Sequence, residues 1–352
     1  MIDRYKESVE SDPDDMDAWI NLGDAYYDEG EYSKAIESYE KAIEINPYFS
    51  EVYNNLGLSY SMIGENHKAI ECYQKALDLD PEDAVAFYNL GFAYEDLERY
   101  DEALKLYMKV LELEPGYTDV WNNIALIHRE KKQFDDAIVA YEKALKINPD
   151  EPILYNNLAI IYYDKKDYKK AIFYYDKALE LDPFNAELCC DIGDIAYEQN
   201  DFDKAIEYYK KALELDPFMI EAWNNLGLCH TFNENYQESI ECYQHALELE
   251  PEDPVLYDNL GFSYSALKDY DISIKNYQKA LELDPEYVSV MKKLGLLYYH
   301  IKQEYKKAII QFETVIMLEP SDSESRKILI TCYETLGDYK KANKLREMKT
   351  AN

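Results

Sequence analysis

Apolar and small side chains return along this chain at two interleaved helical spacings. With a unit of 34 residues counted from Met16, positions 4, 7, 8 and 11 form one stripe, and positions 20, 21, 24, 27 and 28 form a second. Each unit therefore predicts two amphipathic helices joined by a turn. Position 7 is Leu or Ile from Leu22 to Leu294, and position 24 is aromatic from Tyr39 to Phe312. Position 4 is bulky in most units: Trp19, Tyr53, Phe87, Trp121, Tyr155, Trp223 and Tyr257. Position 8 is always small, Gly in seven units and Ala125 and Ala159 in the other two; position 20 is Ala or Ser. Small residues at 8 and 20 let two helices approach closely, and rings at 4, 11 and 24 fill the space between neighbouring pairs.

Prolines punctuate the pattern. They fall every 34 residues from Pro13 to Pro285, and Pro320 follows after 35. Proline at position 32 stops the second helix and turns the chain into the next unit. A period of this length marks stacked helical repeats. The expected organisation is a half repeat over 1–15; nine units at 16–49, 50–83, 84–117, 118–151, 152–185, 186–219, 220–253, 254–287 and 288–322; and a degenerate capping repeat over 323–352. In the half repeat, Ile2, Tyr5 and Val9 match positions 21, 24 and 28. The last unit keeps Leu329, Tyr333 and Ala342 but places Arg326 at position 4 and Arg346 at position 24. Both arginines read as solvent-facing. The 35-residue unit, "YYHIKQEYKKAI", is expected to carry its extra residue in the turn between helices, near Gln303.

Composition narrows the function. The apolar fraction of 47% supports a folded chain, and the net charge of −34 disfavours the polyanions nucleic acid and anionic membrane as partners. The 36 tyrosines are mostly repeat-position fillers, so no base-stacking platform is needed to explain them. No apolar signal core opens the chain, and no stretch is long and apolar enough to span a membrane. Cys72, Cys189, Cys190, Cys229, Cys242 and Cys332 show no paired metal spacing and read as reduced structural thiols of a cytoplasmic protein. No metal site or cofactor is expected.

The pattern W-x-x-L-G-x-x-Y, then Ala, an aromatic, Ala and Pro at these spacings, recurs nine times and resembles the tetratricopeptide repeat family. The resemblance covers nearly the whole chain. It implies an all-α fold: a right-handed α-solenoid superhelix of stacked antiparallel helix pairs, with the first helix of each pair lining a concave groove.

One column resists explanation by packing. Position 6 reads Asn21, Asn55, Asn89, Asn123, Asn157, Asp191, Asn225, Asn259, Lys293. Asparagine is a poor helix former, yet it recurs here off the core stripe. Position 5 adds Asn54, Tyr88, Asn122, Asn156 and Asn224. In superhelices of the resembled family, asparagines at position 6 form a ladder that holds the backbone of an extended peptide. An amide offers one donor group and one acceptor, matching a peptide unit. The competing reading is a local hydrogen bond to backbone. Position 9 supplies apolar neighbours, Leu58, Phe92, Leu126, Ile160, Leu228, Phe262 and Leu296, interrupted by Asp24 and Asp194. Acidic residues flank them at position 13 (Asp28, Asp96, Glu130, Asp164, Glu198) and position 2 (Asp17, Glu51, Asp119, Glu187, Glu221). The combination favours extended peptides with apolar and basic side chains.

Two branches of the family can be compared with these columns. Members that grip acidic chaperone C-termini place Lys at position 5 and Asn at position 9. Here position 5 is Lys only at Lys292, and position 9 is never Asn. The "NNLG" units are more similar to the substrate-binding solenoid of O-GlcNAc transferases, although the chain ends at Asn352 without their catalytic domain. The five histidines fall in different units, and no phosphate loop or nucleophile elbow is present. The expectation is a non-enzymatic, monomeric scaffold or adaptor for protein or peptide partners. The alternatives are a stand-alone substrate-recognition subunit of a glycosyltransferase and a self-associating solenoid.

Overall fold

The computed structural model describes residues 1–347; the last five residues of the expected C-terminal cap lie outside it. The chain divides into two compact units, Met1–Leu181 and Asp182–Asn352. Every regular element among the described residues is a helix, and none is long and apolar enough to cross a membrane. The first unit opens with Ile2–Ser11. Five helix pairs follow: Met16–Asp28 with Tyr32–Ile45, Ser50–Met62 with Asn66–Leu79, Ala84–Asp96 with Tyr100–Leu113, Thr118–Glu130 with Phe134–Ile147, and Pro152–Asp164 with Tyr168–Leu181. The second unit also holds five: Ala186–Glu198 with Phe202–Leu215, Ile220–Phe232 with Tyr236–Leu249, Pro254–Ala266 with Tyr270–Leu283, Val288–Leu296 (continued by Leu297–Ile301) with Tyr305–Leu318, and Ser323–Thr335 with Tyr339–Glu347. Within each unit consecutive pairs pack in chain order, as a solenoid requires.

Each pair is closed by one turn geometry. The second residue after the first helix is left-handed, with φ of 76° at Gly30 and 78° at Gly64, and the following amide reaches back five residues, Glu31 N to Tyr26 O at 2.9 Å. This is the Schellman arrangement. Glu98, Lys132, Lys166, Asn200, Glu234 and Lys268 adopt the same left-handed conformation without being glycine, at a strain of about 1 kcal/mol each.

The left-handed residue is kept in the 35-residue unit, while the following amide, Glu304 N, reaches back six residues to Tyr298 O at 2.8 Å; this corrects the expectation for the extra residue. Gln303 keeps the left-handed conformation, φ 55°. The extra residue lies instead in the helix: Leu297–Ile301 winds as a π turn, with Lys302 N bonded to Leu297 O at 3.0 Å. A wider helical turn absorbs one residue while the backbone bonds on either side of it, Lys302 N to Leu297 O and Glu304 N to Tyr298 O, are still made.

The core follows the stripes. The ring at position 24 is buried under the first helix of its own pair, as at Tyr39, Tyr73, Tyr107, Tyr209 and Tyr243. A Cβ on Gly57 would stand 2.5 Å from Tyr73 Cε1, so this glycine exists to let the ring lie against backbone. Ile2–Ser11 buries Val9 against Ala18 and Leu22, the role expected of a second helix. At position 4, Trp19 Nε1 donates to Pro13 O at 2.9 Å and Trp223 Nε1 to Pro217 O at 3.0 Å. Arg326 does the same towards Pro320 O and is buried, against the expectation of a solvent-facing residue. Its guanidinium replaces the indole N–H as donor. Arg346 is exposed as expected and pairs with Glu334. All six cysteines are free; five are buried, and burial pushes the half-buried Cys72 thiol up to about 12.

Candidate functional site

The first helices carry positions 2, 5, 6, 9 and 13 on one face, and the position-6 column is its most ordered feature. The structure places these side chains half-buried, except Asn21, which is exposed. Asn21 Nδ2 donates to Asp17 O of its own helix, the local alternative foreseen for the column. From the second repeat onward the column does something else. Apart from the carboxylate Asp191, each position-6 side chain donates to the first helix of the preceding repeat.

In the first compact unit, Asn89 Nδ2 reaches Asn54 Oδ1 at 2.9 Å, Asn157 Nδ2 reaches Asn122 Oδ1 at 3.0 Å, and Asn123 Nδ2 reaches the Tyr88 hydroxyl at 3.2 Å and that of Tyr107 at 3.3 Å. Asn55 Nδ2 reaches Asp24 Oδ1 at 3.3 Å. In the second, Asn225 Nδ2 reaches Asp194 Oδ1 at 3.1 Å and Asn259 Nδ2 reaches Asn224 Oδ1 at 3.0 Å. Lys293 Nζ bridges both oxygens of Asp258 at 2.7 and 2.8 Å.

The acceptors obey a rule. Position 5 supplies the acceptor at Asn54, Tyr88, Asn122, Asn224 and Asp258; Asn156 is the exception, its Oδ1 buried without a hydrogen-bond partner among the described residues because the next position 6 is the carboxylate Asp191. In the two repeats where it is apolar, Ile20 and Cys190, position 9 becomes aspartate and supplies it instead, as Asp24 and Asp194. Both aspartates also accept from the buried ring of their own pair, Tyr39 OH at 2.7 Å and Tyr209 OH at 2.6 Å. Burial holds the Asp194 carboxyl above the usual carboxylate range, against the opposing hydrogen bonds from Tyr209 and Asn225. Asp24, Asp194, Tyr88 and Asp258 were not singled out by sequence as partners of the column. The signal was the exclusion between a polar position 5 and an acidic position 9.

Of the remaining candidates, Asn54 is buried, while Asn122, Asn156, Asn224 and Asp191 are half-buried. Leu58, Leu126, Ile160 and Leu228 are half-buried, and Phe92 and Phe262 stand 45% and 44% exposed. Asp28, Glu51, Asp119, Glu130, Glu187, Glu198 and Glu221 are exposed. Asp164 is paired by Arg129 at 2.9 Å, so the acidic flank is interrupted there. The face therefore combines fixed amides, protruding apolar groups and carboxylates.

Comparison by sequence with curated proteins gives no match. Among solved structures, the C-terminal part of a TPR repeat-containing protein from Cytophaga hutchinsonii is 21% identical, with a TM-score of 0.60 over 68% of this chain and 99% of that one. MamA is 30% identical over 46% of this chain and 95% of its own, with a TM-score of 0.44. YrrB, described as a TPR protein with an unusual peptide-binding site, is 24% identical over 56% and 99%, with a TM-score of 0.45. The family description that matches is the cilia and flagella-associated protein 70 C-terminal domain, over residues 2–215 and again over 117–312. With its 34-residue helix pairs and a family match spanning most of its length, the chain belongs to the tetratricopeptide repeat proteins, in the family of that C-terminal domain.

Proposed function

We propose that the first-helix face is a groove that binds extended peptide segments, and that the protein is a scaffold or adaptor. One observation carries this reading. The amide nitrogens of Asn89, Asn157 and Asn259 are committed to the preceding repeat, and their Oδ1 atoms accept no hydrogen bond from any described residue. An amide anchored through its nitrogen presents a fixed acceptor. A row of fixed acceptors suits a run of peptide N–H donors, and anchoring lowers the ordering entropy lost on binding. The protruding Phe92 and Phe262 and the flanking carboxylates then select apolar and basic side chains.

The experiment is affinity capture from native lysate with three baits: wild type, Asn123→Ala/Asn157→Ala/Asn225→Ala, and Trp223→Phe. The last removes the Trp223–Pro217 hydrogen bond, which lies off the face. Partners retained by wild type and Trp223→Phe but lost by the triple variant support the reading, provided the helical circular dichroism is unchanged. Equal capture by all three overturns it.

A further inference from the structure

The two compact units repeat one another on this face. A step of five repeats carries Asp24, Leu58, Phe92 and Leu126 onto Asp194, Leu228, Phe262 and Leu296, so position 9 runs Asp, Leu, Phe, Leu in both units. The contacts follow the same step. Tyr39 to Asp24 at 2.7 Å corresponds to Tyr209 to Asp194 at 2.6 Å. Asn55 to Asp24 at 3.3 Å corresponds to Asn225 to Asp194 at 3.1 Å. Asn89 to Asn54 at 2.9 Å corresponds to Asn259 to Asn224 at 3.0 Å. Even the exposure of the phenylalanines matches, 45% and 44%.

Packing alone does not demand this. The stripes that build the core are shared by all repeats, whereas position 9 lies at their edge: Leu58, Leu228 and Leu296 pack partly against the core, but the position also accepts Asp, Ile or an exposed Phe. Its order is free to vary, and it does not. The correspondence ends one repeat later, where Asn123–Tyr88 in the first unit becomes Lys293–Asp258 in the second. The duplicated face is thus three repeats long in each unit.

Charge says what it fits. In each copy the first repeat junction presents a fixed aspartate and two exposed carboxylates: Asp24 with Asp28 and Glu51, Asp194 with Glu198 and Glu221. Oδ1 of each fixed aspartate holds its two hydrogen bonds, and Oδ2 accepts none from the described residues. Two repeats along stands the protruding phenylalanine. At about 10 Å between neighbouring helices the two features are roughly 20 Å apart, about six residues of extended chain.

Resting on the groove reading above, we propose that the protein holds two equivalent docking sites, one in each compact unit, for two copies of one peptide motif. The motif places a lysine or arginine at the carboxylates and an apolar side chain about six residues away on the phenylalanine. The protein is then bivalent.

The test uses a phage-displayed library of random 12-residue peptides selected against the full chain in three forms. These are wild type, Asp28→Lys/Glu51→Lys and Glu198→Lys/Glu221→Lys, all exposed positions. The best wild-type peptide is then synthesised and titrated calorimetrically. The expected result is one consensus, basic then apolar at that spacing, from all three baits. Stoichiometry should be two peptides per wild-type chain, one per double variant and none when the four changes are combined. Different consensus sequences from the two variants, or one peptide per wild-type chain whose binding is lost in one variant only, overturn the equivalence and leave the groove reading standing. Peptides indifferent to all four changes, and to Phe92→Ser with Phe262→Ser, overturn both. So does failure of the library to yield any binder.

Discussion

Lys293→Met isolates the energetics of the seam between repeats. Asp258 is only 5% exposed, and Lys293 holds both its oxygens at 2.7 and 2.8 Å. Methionine keeps the length of the stem and removes the charge. Leaving a buried charge without its partner costs about 3–5 kcal/mol, whereas an exposed pair is worth about 0.2–1. The lysine side chain is 36% exposed, so water partly screens the pair and the expected loss is intermediate, about 2–3 kcal/mol. Asp258→Asn combined with Lys293→Asn should behave quite differently. It rebuilds the amide pair seen at Asn89–Asn54, with a neutral bond worth about 1 kcal/mol, and should fall within about 1 kcal/mol of wild type. Urea unfolding followed by far-ultraviolet circular dichroism measures the loss. Hydrogen exchange should localise it to the Pro254–Ala266 and Val288–Leu296 helices, because repeat arrays open locally. A Lys293→Met loss below about 0.5 kcal/mol, or a double variant as unstable as Lys293→Met, would refute the seam.

Other consequences can be checked on the same material. Deleting His300 should convert the π turn to an α turn and leave Lys302 opposite Asp271, as Lys131 and Lys165 stand opposite Asp101 and Asp135. The variant should retain its helicity and melt no lower than wild type; a drop of more than about 2 kcal/mol would show that the π turn is required. In a His230→Gln background, stability should rise as pH falls towards the ordinary carboxylate range; the substitution removes the buried imidazole whose proton affinity burial lowers, a group that would lose stability over the same fall. Burial raises the carboxyls of Glu95, Asp96 and Asp194, so the folded state binds their protons first and their destabilisation, present above the folded values, is lost on acidification. The reverse should set in below the ordinary carboxylate range, because Asp101 and Asp271 are held low by hydrogen bonds from Lys131 and Lys302 and lose those contributions only there. A midpoint that falls steadily from pH 7 to the ordinary carboxylate range in that background would contradict this. With a net charge of −34, moderate salt should raise the melting temperature by screening self-repulsion, and a fall would contradict that reading.

Much of the fold is legible in the sequence because a solenoid makes each position answer for one neighbour only. Position 24 and position 8 are a ring and the space for it, so Tyr73 and Gly57 announce each other. Prolines and the stripes mark the helix pairs. The misreadings have local causes. Gln303 keeps the left-handed residue of the turn, and the insertion is taken up by the π turn before it, which periodicity does not show. Arg326 was read by its charge, while its place at position 4 asks only for a long planar donor near Pro320 O. The asparagine column was visible at once, but its partners lie 31 or 35 residues away and require knowing which faces meet. The exclusion between Ile20 and Cys190 at position 5 and Asp24 and Asp194 at position 9 was in the sequence throughout. It became readable as chemistry only when the repeats were side by side.

The most direct test of the peptide groove is a photo-crosslinking pair. Benzoylphenylalanine is introduced in place of Leu126, beside the asparagines, or in place of Phe173, which is 54% exposed on a second helix. Each protein is irradiated with its captured partners. Partner adducts from position 126 and none from position 173 are the expected result. Adducts from position 173 with none from 126 would place recognition on the second helices and leave the asparagine column as a seam between repeats.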